Sequence, residues 1–470
     1  MKLFRIAFLG FVSLVFAACE PKEHALWAPD GSRAAILTDH RLALVGADGK
    51  FSAPWSDQDG DGGRLWVEGF AWLGDSSGLI VHRVRVSKNW EDLAPLLGEA
   101  DRQRIESLVA HMPSLLASAV ALHGDAESTA KLFEYLAAGE ELALSNALFL
   151  SLDREPEAIR SALAGAPRAL ANLDSSRPDR AFALHELALV KPGEAGSGKI
   201  LLRDLTNTAQ IRTSPRHPYL ARSVDTGKEG LHRLELISLD DGKALMVADE
   251  VCRSFEWTPD GRSLVFLKPV TKGDGGLVGI ERREVIQEGG GVFDPLMSGA
   301  SADLAYAIVP FAPRLSVLPD GSVLFASHAV TFPADPEDTP EEPRLYRVPG
   351  EGGAPAMVPT EPGALPMDLG YFVASPDGKR IAVVESGTDA VALIDLASGK
   401  SELIANPRPG WKTRLLPSWK NADEFTFASG DPESKRVRWM LWKDGKSTDL
   451  SASWPERTAS EWMEFKNSAP

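Results

Sequence analysis

The chain has 470 residues, of which 44% are hydrophobic, and its formal net charge is −16 at pH 7. This length permits a large buried core, so disulfide staples are unnecessary. The acidic balance excludes nucleic acid as an expected partner, because phosphate binding requires clustered Lys and Arg.

The N-terminus has the pattern of a secretory signal peptide. Lys2 and Arg5 form a basic start, and residues 6–16 form an apolar core. The segment ends in Phe16-Ala-Ala-Cys19, which resembles a bacterial lipobox, although Leu is usual at the position of Phe16. That resemblance implies that Cys19 is acylated and becomes the new N-terminus. The alternative is a plain signal peptide, or a short anchor, with a chance cysteine.

Acyl chains on Cys19 would hold the protein at a bilayer. Glu20 follows, whereas Asp is the common inner-membrane retention signal at this position in enteric bacteria, so the sequence favours the outer membrane, facing the periplasm. We assign residues 1–18 to the signal peptide and residues 19–24 to a short tether. We expect no other segment to be long and apolar enough to cross a membrane.

A turn built on Asp-Gly, between two apolar strands, recurs along the chain. Its five copies are Trp27-Ala-Pro-Asp-Gly31, Trp72-Leu-Gly-Asp-Ser76, Trp257-Thr-Pro-Asp-Gly261, Val317-Leu-Pro-Asp-Gly321 and Ala374-Ser-Pro-Asp-Gly378. Pro fixes φ at the first corner, Asp bonds back to the backbone, and Gly adopts a positive φ. Two further strands follow each turn, giving a four-stranded antiparallel unit. Such repetition predicts a β-propeller.

The turn Ser375-Pro-Asp-Gly378 resembles the TolB-type propeller repeat, a relative of the WD repeat, and the resemblance covers most of residues 25–450. The fold is therefore expected to be mainly β, and counting the pattern along the chain gives seven blades. Six or eight blades remain open, because residues 288–312 are hard to place. The predicted blades begin near Ala25, Leu65, Gln210, Arg253, Pro313, Leu369 and Arg414. The repeat does not define a function, since propellers are scaffolds.

Residues 90–178 interrupt the strand pattern. Ile105, Leu108 and Met112 lie at helical spacing, Gly124 is a candidate helix stop, and Asp153 is a candidate cap. We expect four to six short helices, packed as hairpins and inserted in the second blade. The domain assignment is 25–89 and 179–451 for the propeller, 90–178 for the helical insert and 452–470 for a C-terminal tail.

The loops of an antiparallel blade alternate between the two faces of the disc. The Asp-Gly turns therefore share one face, here called the turn face. The insert, the acidic loop 333–343 and the loop 57–63 are expected on the other, here called the insert face. The insert face is the candidate working surface.

The loop between the first two blades matches a calcium-loop pattern. Asp57, Asp59 and Asp61 alternate, Gly62 follows, and Glu68 lies at the bidentate position. We expect a structural Ca²⁺ site on these four carboxylates. A polar connector without metal is the alternative, since flanking helices are absent and Arg64 replaces an apolar residue.

The histidines are scattered, and the sequence identifies no catalytic residues and no other cofactor. The first hypothesis is a lipid-anchored, non-catalytic scaffold that binds another envelope protein or peptide. The second is a propeller hydrolase or lyase acting on a glycan or peptide in the central channel. A third is a purely structural, calcium-stiffened lipoprotein.

Overall fold

The computed structural model describes residues 25–38, 41–51, 64–126, 142–176, 181–192, 198–228, 230–270, 277–287, 301–308, 314–330, 343–359, 367–385, 390–413, 417–431, 433 and 437–454. Within these ranges the strands form seven antiparallel sheets arranged as the blades of a β-propeller.

The strands follow the chain in order, blade by blade. Blade 1 contains β1 Ala25–Trp27, β2 Arg33–Thr38 and β3 Arg41–Gly46. Blade 2 contains β4 Arg64–Trp72, β5 Leu79–Ser87, β6 Phe182–Val190 and β7 Lys199–Asp204. Blade 3 contains β8 Thr208–Thr213, β9 Tyr219–Lys228, β10 Leu231–Ser238 and β11 Ala244–Val251. Blade 4 contains β12 Phe255–Trp257, β13 Ser263–Pro269, β14 Leu277–Glu284 and β15 Ser301–Ile308.

The remaining three blades repeat this order. Blade 5 contains β16 Leu315–Val317, β17 Val323–Ser327, β18 Arg344–Val348 and β19 Ala356–Met357. Blade 6 contains β20 Met367–Ala374, β21 Arg380–Glu385, β22 Val391–Asp395 and β23 Ser401–Ile404. Blade 7 contains β24 Lys412–Thr413, β25 Ser418–Trp419, β26 Glu424–Gly430, β27 Val437–Lys443 and β28 Lys446–Asp449, and a 3-10 turn follows at Leu450–Ser453.

The prediction of a mainly β fold with seven blades is confirmed. Each predicted start lies within two residues of the first strand observed in its blade. The turns have the expected chemistry: Gly31 has φ +68°, and the Asp30 carboxylate accepts a hydrogen bond from the Ser32 amide at 2.9 Å. In blade 2 the same position is Ser76, a non-glycine residue at φ +62°.

Tryptophans just before the first turn of three blades join neighbouring blades. In blades 2, 4 and 7 the indole Nε1–H donates to a carbonyl on the first strand of the preceding blade. The pairs are Trp72 to Leu26 (2.9 Å), Trp257 to Arg212 (3.0 Å) and Trp419 to Val373 (3.0 Å). Each bond satisfies a buried polar atom and fixes the angle between two blades.

The ring closes between blades 7 and 1 through packed side chains. The Trp27 ring stacks on Trp439 with centroids 5.6 Å apart, and Trp454 lies 6.0 Å from Trp439. The Trp27 indole also donates to Thr426 Oγ1 at 3.0 Å. Among the described strands, every blade is built from one continuous part of the chain, so apolar packing rather than strand exchange joins the two ends.

A helical insert lies between β5 and β6 of blade 2, as predicted. Its described elements are α1 Trp90–Leu93, a 3-10 turn Ala94–Leu96, α2 Glu99–His123, α3 Leu142–Arg154, α4 Pro156–Ala162 and α5 Pro167–Ser176. The helices form one core with blade 2, since Phe149 and Leu148 of α3 belong to the same apolar cluster as Val84, Phe182 and Leu184 of the strands. The outer helix α2 packs on α3 and α4.

The helices differ from the sequence prediction in two respects. Helix α2 has 25 residues, so the expectation of short helices only is wrong. Gly124 ends α2 at φ +58°, as predicted, but Asp153 lies inside α3 rather than at the start of a helix. The next helix instead begins at Pro156, because the fixed φ of proline suits the first helical position.

Helix α2 also differs from the expectation about membrane segments. By length and composition it is apolar enough to cross a membrane. An 18-residue stretch of the helix has a mean hydropathy of 1.5, and only 22% of that stretch is buried. One face nevertheless packs in the insert core through Ile105, Met112, Leu116 and Ala119.

Ring closure can be tested at Gly31. A Cβ there would lie 2.7 Å from the Lys420 carbonyl oxygen of blade 7, whereas a Cβ at Gly445, with the similar φ of +73°, would meet nothing within 4 Å. We expect Gly445→Ala to lower the free energy of unfolding by about 1 kcal/mol through backbone strain alone. Gly31→Ala should lower it by about 1–3 kcal/mol more, because two blades must separate. Equal losses for both variants in urea unfolding would contradict this account of closure.

Candidate functional site

Blade 2 carries buried charged side chains on both of its faces, at the end covered by the insert. The arginine cluster consists of Arg83, Arg85, Glu186 and Arg203 and faces blade 1. The histidine cluster consists of His82, His185, Asp204, Arg222 and Glu235 and lies between blades 2 and 3. The sequence analysis identified neither cluster.

Strand register assembles the arginine cluster. Arg83 pairs with Glu186 across β5 and β6, and Glu186 pairs with Arg203 across β6 and β7, so the three side chains share one face. Arg85, two residues along β5, lies on that face as well. The face is the one on which Leu79 contributes to the core between blades 1 and 2.

Glu186 accepts hydrogen bonds from three guanidinium groups. The Nε atoms of Arg83, Arg85 and Arg203 lie 3.0, 2.8 and 2.7 Å from its carboxylate oxygens. The glutamate is fully buried, and Arg83 is 1% exposed. Burial would raise the pKa of Glu186, but the hydrogen bond from Arg85 and the charge of Arg83 outweigh it, and the pKa is lowered. Glu186 is therefore an ionised hub that joins three strands of blade 2.

In the histidine cluster, His82 Nε2 lies 3.0 Å from His185 Nδ1, and both rings are buried. One ring nitrogen donates to the other, so at least one of the two rings must be neutral. Burial lowers the pKa of His185 to about 4, although the charges of Asp204 and Glu68 act in the opposite direction. At neutral pH the cluster therefore holds His185 in its neutral form.

Arg222 links blade 3 to blade 2. Its guanidinium lies 2.6 Å from the Asp204 carboxylate of β7 and 2.8 Å from Glu235 of β10. Burial would lower the pKa of Arg222, but the charges of Asp204 and Glu235 outweigh it and raise the pKa. This buried pairing fixes the two blades together beside the histidines.

The first turn of α2 lies over the histidine cluster. Burial raises the pKa of Asp101, and the nearby negative charge of Asp204 raises it further, while Arg104 and Arg222 act in the opposite direction. Asp101 is therefore close enough to sense charges on both blades. The start of α2 therefore lies within the electrostatic influence of both blade 2 and blade 3.

The described residues cover one of the four predicted calcium ligands. Asp57, Asp59 and Asp61 lie outside them, while Glu68 lies on β4 at a bulge between Val67 and Gly69. The negative charge of Glu68 acts to raise the pKa of His185. Within the described ranges, no three His, Cys, Asp or Glu side chains come together as a metal site. Calcium binding stays a prediction.

The other predicted features fall partly outside the described ranges. Cys19, most of the loop 333–343 and the whole loop 57–63 are not covered, so for the insert face only the helical insert can be placed. Cys252 has a free thiol, and burial raises its pKa to about 12. It packs beside the apolar core between blades 4 and 5, which suits a small apolar role rather than a reactive one.

The first strands carry few carboxylates among the side chains that the structure describes. Those carboxylates are Glu68 on β4 and Glu256 on β12. Glu256 accepts a hydrogen bond from Arg212 Nε of blade 3 at 3.2 Å. A pair of carboxylates suited to glycoside hydrolysis would need a separation of roughly 5–10 Å, and these described strands do not present such a pair next to one another.

Comparison with known proteins yields propeller structures of low sequence identity. No family model and no curated protein matches the chain. TolB from Acinetobacter baumannii is 18% identical, with a TM-score of 0.36, over 56% of this chain and 58% of its own. Hydrazine synthase from Kuenenia stuttgartiensis is 13% identical, with a TM-score of 0.44, over 90% of this chain and 96% of its own.

A third similar structure is the acylaminoacyl peptidase of Pyrococcus horikoshii, 13% identical with a TM-score of 0.36. It is matched over 58% of this chain and 42% of its own. The chain thus spans less than two thirds of both TolB and the peptidase. At these identities the likeness concerns the fold alone.

The arginine cluster can be tested with Glu186→Gln. Neutralising the hub leaves three guanidinium groups without their shared charge, and we expect the free energy of unfolding to fall by about 3–5 kcal/mol. The matched control is Glu106→Gln, whose carboxylate pairs with Arg154 at 2.7 Å on the exposed surface of the insert. Such exposed pairs contribute about 0–1 kcal/mol. Similar losses for the two variants in urea unfolding would contradict the role of Glu186 as a hub.

The histidine cluster should make the protein sensitive to acid. His185 titrates near 6.5 when unfolded but near 4 when folded, so the unfolded state binds more protons between these values. Its contribution is complete above about pH 6.5 and is lost as the pH falls towards 4, on the order of 3 kcal/mol at most. His185→Gln should therefore flatten the decline of melting temperature between pH 7 and 4.5, whereas His111→Gln, at an exposed position of α2, should leave it unchanged. An unchanged slope in His185→Gln would refute the assignment.

Proposed function

We propose that this chain is a non-catalytic binding scaffold of the bacterial cell envelope, held at a membrane by acylated Cys19. Its insert face would bind another envelope protein or peptide. The observation that carries the proposal is the helical insert, a module fixed rigidly to one face of an otherwise regular propeller. The most favoured address is the outer membrane, facing the periplasm.

The insert is held by more than apolar packing. The side-chain amide of Asn146 on α3 pairs with the backbone of Ala183 on β6, donating to its carbonyl at 2.7 Å and accepting from its amide at 3.0 Å. The Asp125 carboxylate, just after α2, accepts a hydrogen bond from the Arg168 amide at the start of α5. A surface held in this way loses little conformational freedom on binding, which favours affinity.

The exposed surface of the insert carries charges of both signs. Glu99 and Arg102 form an ion pair at 2.7 Å with side chains 68% and 43% exposed, and Arg154 pairs with Glu106. Such exposed pairs contribute little to stability. Charges of this kind can select a partner of complementary potential and speed its encounter.

The alternative is an enzyme acting on a glycan or peptide in the central channel. It would need an acid and a base near one another on the first strands. On the described first strands, the carboxylate of Glu256 forms an ion pair with Arg212. These strands therefore give no particular support to an enzymatic function. Turnover of a defined glycan or peptide by the purified protein, abolished by Glu256→Gln, would establish it.

The proposed partner can be sought with photo-crosslinking residues rather than by deletion. Removing residues 95–178 would expose Phe182 and Leu184, which the insert now covers, and would damage blade 2. We therefore place a crosslinker at Arg102 or Glu157, both on the exposed surface of the insert, and a matched control at exposed Lys379 on the turn face. Irradiation of intact cells should trap one envelope protein from the first two positions and not from Lys379.

Two results would count against the scaffold. The first is equal trapping from Lys379 and from the insert positions, which would mean that the adduct reflects proximity rather than a binding face. The second is the absence of any discrete adduct from Arg102 and Glu157 in cells that contain the folded protein.

A further inference from the structure

The chain enters the propeller on the insert face. β1 begins at Ala25 and runs to the Asp-Gly turn at Gly31, which defines the turn face, so its first residue lies at the opposite side of the disc. The insert leaves β5 at Ser87 on that same side, in the adjacent blade. Ala25 and the start of the helical insert are therefore on the same face, in adjacent blades.

The tether between Cys19 and Ala25 is short. Residues 19–24 can span at most about 20 Å when fully extended. An acyl group on Cys19 would therefore keep blade 1 close to the lipid surface. Because the tether joins the propeller at the insert face, this face, and not the turn face, would be directed at the bilayer.

Part of helix α2 has a composition that is unusual for a helix face in contact with water. From Ser107 to His123 it contains no Asp, Glu, Lys or Arg, although it is the outer helix of the insert. Leu122 is 62% exposed. The exposed positions of this stretch are Ser107, Ala110, Ser114, Ala117, Ser118, Ala121 and Leu122, together with His111. A helix face turned to solvent normally carries charged side chains.

Three polar side chains of this stretch form hydrogen bonds within the helix. Ser114 Oγ donates to the His111 carbonyl at 3.1 Å, and Ser118 Oγ donates to the Ser114 carbonyl at 2.8 Å. His111 Nδ1 lies 2.7 Å from the Ser107 carbonyl. Leaving water therefore costs these side chains little, because their hydrogen bonds do not depend on it.

We propose that the uncharged exposed side of α2, residues 107–123, lies against the phospholipid bilayer to which Cys19 is anchored. The inference rests on the proposed function, because it requires the acyl anchor. Burial of Ala, Leu and internally bonded Ser at the boundary between headgroups and acyl chains is the chemistry of an interfacial helix. The charged first turns of α2, with Glu99 and Arg102, remain in water and free for a protein exposed at the membrane surface.

The test uses the full chain, made in bacteria, purified and reconstituted in vesicles of phosphatidylethanolamine with a minor fraction of phosphatidylglycerol. Cys252→Ala removes the other thiol, and acylation consumes that of Cys19, so Leu122→Cys can carry a single environment-sensitive fluorophore. Lys379→Cys, on the turn face and also exposed, is the matched control. If Leu122→Cys does not fold by circular dichroism, Ala117→Cys takes its place.

The fluorophore at position 122 is compared in two states: on the protein anchored in vesicles, and on the protein in detergent-free solution after a protease has removed the tether. We expect quenching by aqueous iodide to be several-fold weaker in the vesicles. Lipids with a quencher on the acyl chain should quench it, and the Lys379 probe should respond to iodide only. If the protein is anchored but the two probes behave alike, the bilayer contact is refuted and the anchor stands. If the mass of the N-terminal peptide shows no acyl group, both the anchor and the contact fail.

Discussion

Closure of the ring through apolar packing between blades 7 and 1 is the constraint on which the rest of the fold depends. The stacked indoles of Trp27 and Trp439 join residues more than four hundred positions apart, so they contribute only when all seven blades are in place. Indole hydrogen bonds join further pairs of neighbouring blades, those of Trp72, Trp257 and Trp419. The arginine cluster lies between blades 1 and 2, and the histidine cluster lies between blades 2 and 3. Among the described elements, blade 2 is also the only blade that carries α-helices.

The local features of this fold were predictable from the sequence, and the non-local ones were not. The Asp-Gly turns depend on four or five adjacent residues, which is why blade number and blade starts could be predicted. Glu186 lies beside Arg83 because the chain comes back to the same sheet after an insert of about ninety residues. No spacing in the sequence predicts the register of the two strands. A sequence signal did exist, since Arg83 and Arg85 interrupt an otherwise apolar strand, and charges in such a strand require a buried partner.

The helices show the same division. Gly124 ended α2 as its local chemistry predicts, whereas the length of α2 depended on packing against α3, which the periodicity of a few residues did not reveal. Asp153 had the chemistry of a cap but lies within α3, because Pro156 determines where the next helix begins. Function was predicted least well, since a scaffold is defined by its partner, and the chain encodes only the surface that a partner would meet.

The position of the insert inside blade 2 also has a consequence for the order of folding. Strand β5 ends at Ser87, but its hydrogen-bonding neighbour β6 begins only at Phe182, so during synthesis half of the blade exists long before the other half. The helices fill this interval with mostly local contacts, which form faster than distant strand pairs. Once formed, the helices offer Asn146 and Phe149 as contacts for strand β6. These contacts would reduce the number of conformations that β6 samples before it pairs with β5. The insert would then serve as an internal folding nucleus for the second blade before it serves any partner.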